Sequence, residues 1–405
     1  MEERSRVLVI VGYMAMLVLV GLIWPNPEGL IETYRQILLT PSVLITDYFV
    51  VGSVGTALIN AGIVGLIAIA LIHFNKTTMS GPTIAAVFTM AGFALFGKTP
   101  LNIWPIFVGV AISARIKKEK FRSLIVVALF GTALGPVVSQ ISFGLGLGYA
   151  IGILIGVIVG MLLPAMASHV LPNHQGFNLY NVGFTCGIIG VYVTAHLKMR
   201  GYTPELTLLW GEQAQLALAV FFTLYFATMI LIGWSGREKA KKLWKLPGTL
   251  VTDFVSEQGF HATLYNMGLV GMMGMAYIAL VGGSFNGPTL GGVFTIVGFG
   301  AFGKHIRNIW PLIVGVFLAT YMSVWQASSP GPLLAALFGT TLAPIAGGFG
   351  WWIGIIAGGI HLVVVMHVGV FHAGLNLYNN GFAGGLVGTL FIAVSRWFRL
   401  DRSQS

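Results

Sequence analysis

Two tripeptides, Gly81-Pro82-Thr83 and Gly287-Pro288-Thr289, could do chemistry without any catalytic side chain. Proline behind Ser80 or Asn286 starts a helix cleanly, and the free amide groups of such a start attract oxygen atoms of a solute. A second constellation is Asn-x-Gly, present at Asn60, Asn181, Asn266 and Asn379, three times behind Leu-Tyr. Asparagine supplies a donor and an acceptor, tyrosine a hydroxyl, and glycine close access to the backbone. The expected solute site therefore comprises the two Gly-Pro-Thr starts, Asn60 and Asn266, and the blocks Asn178, Tyr180, Asn181 and Asn376, Tyr378, Asn379. The plainer alternative is that these asparagines only bond helices together.

Ionisable groups suggest gating or ion roles. Of twelve acidic residues only Asp47 and Asp253 correspond between the two halves described below, and each follows a threonine at a helix start, where capping is the ordinary use. Lys98 and Lys304 end the short Gly-Pro segments; they either snorkel towards water or draw an anion into a vestibule. His174 and His372 precede the Asn-Leu-Tyr-Asn blocks and suit capping or solute gating better than catalysis. No metalloprotease, nucleotide-loop or nucleophile-elbow motif occurs, and the single cysteine, Cys186, offers neither a disulfide nor a cysteine metal site. No enzyme activity, cofactor or metal is expected.

The elements that must position these residues are membrane helices. The chain of 405 residues is 56% hydrophobic and 8% charged, with mean hydropathy +0.87, which excludes an ordinary soluble domain. Its +10 charge lies outside the apolar runs, so the lipid bilayer and a small solute are the expected partners, and nucleic acid is not. Fourteen helical segments are predicted. Two pairs, Pro82 to Phe96 with Ile103 to Ala114 and their copies near 288–302 and 309–323, are too short for simple spans.

Those copies arise from an internal repeat. Residues 81–110 and 287–316 agree at 18 of 30 positions, and 174–190 and 372–388 at 10 of 17. Ala128 to Thr132 returns as Ala336 to Thr340. The predicted organisation is an N-terminal helix and interfacial segment (1–40), a first repeat (41–200), a linking helix and basic connector (201–246), a second repeat (247–396) and a basic tail (397–405). The basic loop 115–122 and connector 237–245 are expected in the cytoplasm. The counterpart of the first loop, 321–332, carries no charged residue, so the two halves are expected to be inverted. The fold class is an all-α integral membrane protein of two inverted homologous repeats whose short Gly-Pro-interrupted helices re-enter or span. A multi-pass protein of the plasma or inner membrane, with both termini cytoplasmic, follows.

The doubled Gly-Pro-Thr, Phe-Gly-Lys and Asn-Leu-Tyr-Asn blocks resemble an uncharacterised prokaryotic membrane-protein family known only as a domain of unknown function, which implies no activity. Tyr265-Asn266 to Gly271 and Tyr378-Asn379 to Gly388 are similar, over short pieces, to urea transporters. That resemblance implies inverted halves with re-entrant half-helices, although Ser-Gly-Pro and Asn-Gly-Pro stand where urea transporters have Asn-Pro. The expected function is a channel or transporter for a small polar solute, bound at the midplane between the repeats and moved passively because intramembrane carboxylates are scarce. A small-anion or carboxylate transporter using Lys98 and Lys304 is the alternative; a membrane scaffold or an enzyme without transport is a third. By analogy with passive solute proteins, a homo-oligomer suits this class.

Overall fold

A computed structural model describes residues 2–202, 204 and 206–398; the last seven residues of the basic tail lie outside the described residues. The first half contains α1 (Glu3–Ile23), α2 (Val54–Phe74), α3 (Gly81–Phe93), α4 (Pro100–Ile116), α5 (Phe121–Gly144), α6 (Tyr149–His174) and α7 (Asn181–Met199). The second contains α8 (Gln215–Gly233), α9 (Phe260–Leu280), α10 (Gly287–Phe299), α11 (Ile306–Thr320), α12 (Pro330–Phe349), α13 (Trp351–Val368) and α14 (Asn379–Trp397). All fourteen predicted segments are present. Among the described residues nine helices are long and apolar enough to cross a membrane, while α3, α4, α10 and α11 are shorter.

Local sequence sets the helix starts. Ser53 and Thr56 form a capping box at α2, Thr99 and Asn102 one at α4, and Asn286 and Thr289 one at α10, each satisfying amides that have no partner inside the helix. Proline breaks α5 and α12 at matching places. Pro136 and Pro344 lack an amide hydrogen and crowd the preceding turn, and the chain passes through 3-10 turns at Thr132–Leu134 and Gly339–Leu342. Each break leaves backbone carbonyls free for an outside partner.

Small residues decide which helices pair. α1 lies on α2 with Gly21 against Gly55, and α8 lies on α9 with Gly233 against His261 and Tyr265. The helix assigned by sequence to the 201–246 linker thus holds, in the second half, the place that α1 holds in the first. At the centre, α3 packs on α10. A Cβ on Gly92 would stand 2.8 Å from the Gly291 carbonyl oxygen, and one on Gly298 would stand 2.9 Å from that of Ala85, so the two helices run in opposite directions. Every residue of α10 and all but Pro82 of α3 are buried, which explains why both are apolar around their whole circumference. On one side of this pair Tyr13 of α1 meets Tyr225 of α8 at 5.1 Å between ring centroids. On the other side α7 and α14 begin.

Candidate functional site

The site is built from six chain breaks: the ends of α3 and α10, the interruptions of α5 and α12, and the two Asn-Leu-Tyr-Asn blocks. Asn60 on α2 donates its amide hydrogens to the carbonyls of Ala94 (2.6 Å) and Lys98 (2.7 Å), and Asn266 on α9 does the same to Gly300 and Lys304, both at 2.8 Å. The carbonyls left open after α3 and α10 are thereby satisfied. These two asparagines act as helix-to-helix bonds and do not face the cavity described below.

The Gly-Pro-Thr starts are also occupied. The Thr83 hydroxyl accepts from Ser80 N (2.8 Å) and donates to Thr78 O (3.0 Å); Thr289 accepts from Asn286 N (3.0 Å) and donates to Ser284 O (2.7 Å). The amide of Gly81 donates to Asp253 Oδ1 at 2.8 Å, and that of Gly287 to Asp47 Oδ1 at 3.2 Å. Each carboxylate therefore closes the short helix of the other half, where it complements the positive end of that helix. Both also cap locally, Asp47 accepting from Phe49 N (3.0 Å) and Asp253 from Val255 N (2.9 Å). Because α3 and α10 are antiparallel, the two starts stand at opposite ends of the pair. They do not meet at its centre, which is where the sequence reading put a solute.

What does meet there is the pair of Leu-Tyr segments. The Leu179 amide donates to Thr341 O in the break of α12, and the Leu377 amide to Ala133 O in the break of α5, both at 3.0 Å. Each tyrosine thus enters the opposite half. Lys98 Nζ donates to the Tyr378 hydroxyl at 2.6 Å; Lys304 Nζ donates to the Tyr180 hydroxyl and to Thr340 Oγ1, the latter at 2.7 Å. Aromatic rings complete the lysine cages, with Lys98 Nζ 5.6 Å from the Phe93 centroid and Lys304 Nζ 5.2 Å from that of Phe299. Both lysines are 0% exposed, so neither snorkels. Among the described residues neither forms an ion pair.

The remaining candidates hold these loops in shape. Asn178 Oδ1 accepts from Tyr180 N (3.2 Å) and Thr341 Oγ1 (2.6 Å), and Asn376 Oδ1 accepts from Tyr378 N (2.9 Å). His174 Nε2 pairs with Asn181 Oδ1 and His372 Nε2 with Asn379 Oδ1, each at 2.9 Å, so both histidines support their own blocks. Gly183 and Gly381 let α7 and α14 touch, since a Cβ on Gly183 would lie 3.0 Å from the Gly381 Cα.

Between the α3–α10 pair and the starts of α7 and α14 lies a cavity of about 240 Å³. Much of its wall pairs equivalent residues from both halves: Thr89 with Thr295, Phe93 with Phe299, Phe130 with Phe338, Tyr180 with Tyr378 and Gly183 with Gly381. The Thr295 hydroxyl donates to Gly291 O at 2.8 Å, whereas the buried Thr89 hydroxyl has no protein partner. Of the residues expected to bind solute, Pro82, Tyr180, Asn181 and Tyr378 line this space. Gly81, Thr83, Gly287, Pro288, Thr289, Asn60, Asn266, Asn178, Asn376 and Asn379 do not. The aromatic and threonine lining was missed, although Thr89 with Thr295 and Phe130 with Phe338 lie inside the repeated blocks.

Long apolar helices around a buried, partly polar centre define a multi-pass helical membrane protein. The chain belongs to the family described as Protein of unknown function (DUF1576), which matches residues 26–199 and 235–397. No curated protein and no solved structure matches, and the likeness to urea transporters is not shown.

Proposed function

We propose that the protein moves a small solute across a membrane and that the solute binds in the cavity between α3, α10 and the starts of α7 and α14. The observation that carries this reading is the wall of paired equivalents from the two halves. In transporters built from repeats the solute site lies at the interface that relates them, near the bilayer centre. Here the halves are read as inverted repeats, in keeping with the opposed directions of α3 and α10. The pairs α3–α4 and α10–α11 are read as hairpins that enter and turn back. Thirteen residues rise only about 20 Å, short of a hydrocarbon core of about 30 Å.

The lining favours a small molecule with an apolar body and one hydrogen-bonding end, for which the Thr89 hydroxyl, which has no protein partner, is the polar group on offer. Passive movement is the favoured mode: none of the lining residues is acidic, and Asp47 and Asp253 are committed to helix starts. The basic loop 115–122 and connector 237–245 support a reading in which they face the cytoplasm from an inner or plasma membrane.

Lys98 and Lys304 favour a second reading, transport of a small organic anion. A buried amine without a carboxylate leaves N–H donors in excess, which an acceptor-rich solute near the two tyrosines would balance.

The test is flux into proteoliposomes over a panel of neutral and anionic solutes, comparing wild type with Thr89→Trp and Val126→Trp, which fill the cavity from two sides. Flux falling at least tenfold in both variants, with unchanged size-exclusion profiles, supports the site. Undiminished flux in folded variants overturns it. Anion flux that disappears in Lys98→Gln and Lys304→Gln, with neutral flux unchanged, selects the second reading.

A further inference from the structure

A second, smaller cavity of about 70 Å³ lies beyond the first, and we propose that it is the far arm of the same solute path, held shut by the segment that joins the two halves. This inference rests on the transport reading above.

The two cavities are built from equivalent residues. Leu44, Ile45 and Phe96 line the small one where Leu250, Val251 and Phe302 line the large one. Asn379 likewise stands in the small cavity where Asn181 stands in the large. The large cavity is therefore the central site plus one arm, and the small cavity is the opposite arm. Phe338, Leu377 and Asn380 line both, so they form the partition between them.

The mouths lie at opposite ends of the α3–α10 pair. Ile45 is two residues from Asp47, which closes the start of α10, and Val251 is two residues from Asp253, which closes the start of α3. Their backbones are anchored alike, Leu44 N to Gly374 O at 3.1 Å and Leu250 N to Gly176 O at 3.2 Å.

One difference separates them. The connector between α7 and α8 runs beside Ile45 as a short parallel bridge: Ile45 N donates to Thr207 O (2.6 Å) and Leu209 N to Ile45 O (3.0 Å). Asp47 Oδ2 then accepts from Gly211 N at 2.9 Å, and Asn286 Nδ2 donates to Gly211 O at 3.0 Å, tying the connector to the start of α10. At the other mouth Val251 is 76% exposed, and among the described residues no segment pairs with it. One arm is thus covered and narrow and the other uncovered and wide, as expected for a path opened at one end at a time.

Single cysteines test this in the full-length protein. Cys186 is fully buried, so the wild type serves as the unlabelled control for a membrane-impermeant thiol reagent applied to vesicles of either orientation. Val251→Cys is expected to react from the face that bears the basic loops. Ile45→Cys is expected to react only from the opposite face, at least tenfold more slowly. Adding Leu209→Pro, which removes the donor to Ile45 in an accessible connector, raises the Ile45→Cys rate at least fivefold without changing that of Val251→Cys. Asp47→Asn is the second loosening variant, should the proline variant not fold. Reaction of both cysteines from one face, or an Ile45→Cys rate unmoved by loosening the connector, overturns the inference. Solute flux is read in the same vesicles: labelling as expected with no flux for any solute sinks the transport reading, and with it the role of this cavity as an arm of a path.

Discussion

Removing the Tyr378 hydroxyl should destabilise the protein more than removing that of Tyr180, although the two residues are equivalent. Lys98 Nζ makes a hydrogen bond to Tyr378 alone, whereas Lys304 Nζ reaches both Tyr180 and Thr340. A hydrogen bond contributes about 0.5–1.5 kcal/mol net, and leaving a buried donor without its partner costs about 1–3 kcal/mol. Tyr378→Phe falls in the second case and should lose about 2.5 kcal/mol. Tyr180→Phe keeps the threonine contact and should lose roughly 1 kcal/mol. The difference corresponds to about tenfold in the unfolding equilibrium. Denaturant titration of purified protein in mixed micelles, followed by intrinsic tryptophan fluorescence, reads it directly. The same assay on Lys98→Met/Tyr378→Phe supplies the control, because deleting the amine together with its partner should recover most of the loss. Equal losses in the two tyrosine variants, or a double variant no better than Tyr378→Phe, would refute the claim that a lone buried amine is what the hydroxyl serves.

Two further outcomes are expected. Gly92→Ala pushes a methyl group to within 2.8 Å of the Gly291 carbonyl oxygen and 2.7 Å of the Phe294 Cβ; overpacking of this kind costs about 1–3 kcal/mol, and a lowered thermal midpoint in detergent checks it. Asn60→Ala frees two buried carbonyls at the end of α3, so about 2 kcal/mol should be lost, with Asn266→Ala similar; amide hydrogen exchange in the turn after each short helix should rise while the other half stays protected.

The helices were legible because a membrane imposes long apolar runs, and the repeat was legible because identities at a fixed offset need no structure to be seen. The site was legible only in part. Asn60 and Asn266 announce a polar contact but not its direction, and the structure turns both towards carbonyls. Lys98 and Lys304 follow helix ends, where sequence alone suggests snorkelling; what hides them is a tyrosine some 280 residues away in one case and 124 in the other. The same holds for Asp47 and Asp253. Their threonine neighbours point to local capping, which occurs, but the second cap crosses from one half to the other and leaves no local signal. The breaks in α5 and α12 were available as the repeated Gly-Thr-x-Leu-x-Pro of residues 131–136 and 339–344. Reading them needed the knowledge that a proline-freed carbonyl inside an apolar core must find a donor.

The exchanged caps bear on how such a chain is made and on how its halves depend on each other. During synthesis the amide of Gly81 and the amine of Lys98 are made well before Asp253 and Tyr378, so these bonds can close only after the second half has followed the first. The exchange also means that neither half is complete without the other. One copy would lack every partner that crosses between the halves, whereas two copies around a two-fold axis would supply all of them, each giving its aspartate and tyrosine to the other. Such a pair has an isologous interface. Joining its members in one gene frees the two sequences to differ, and the connector on Ile45, which covers one end only, is a difference that a symmetric pair could not carry.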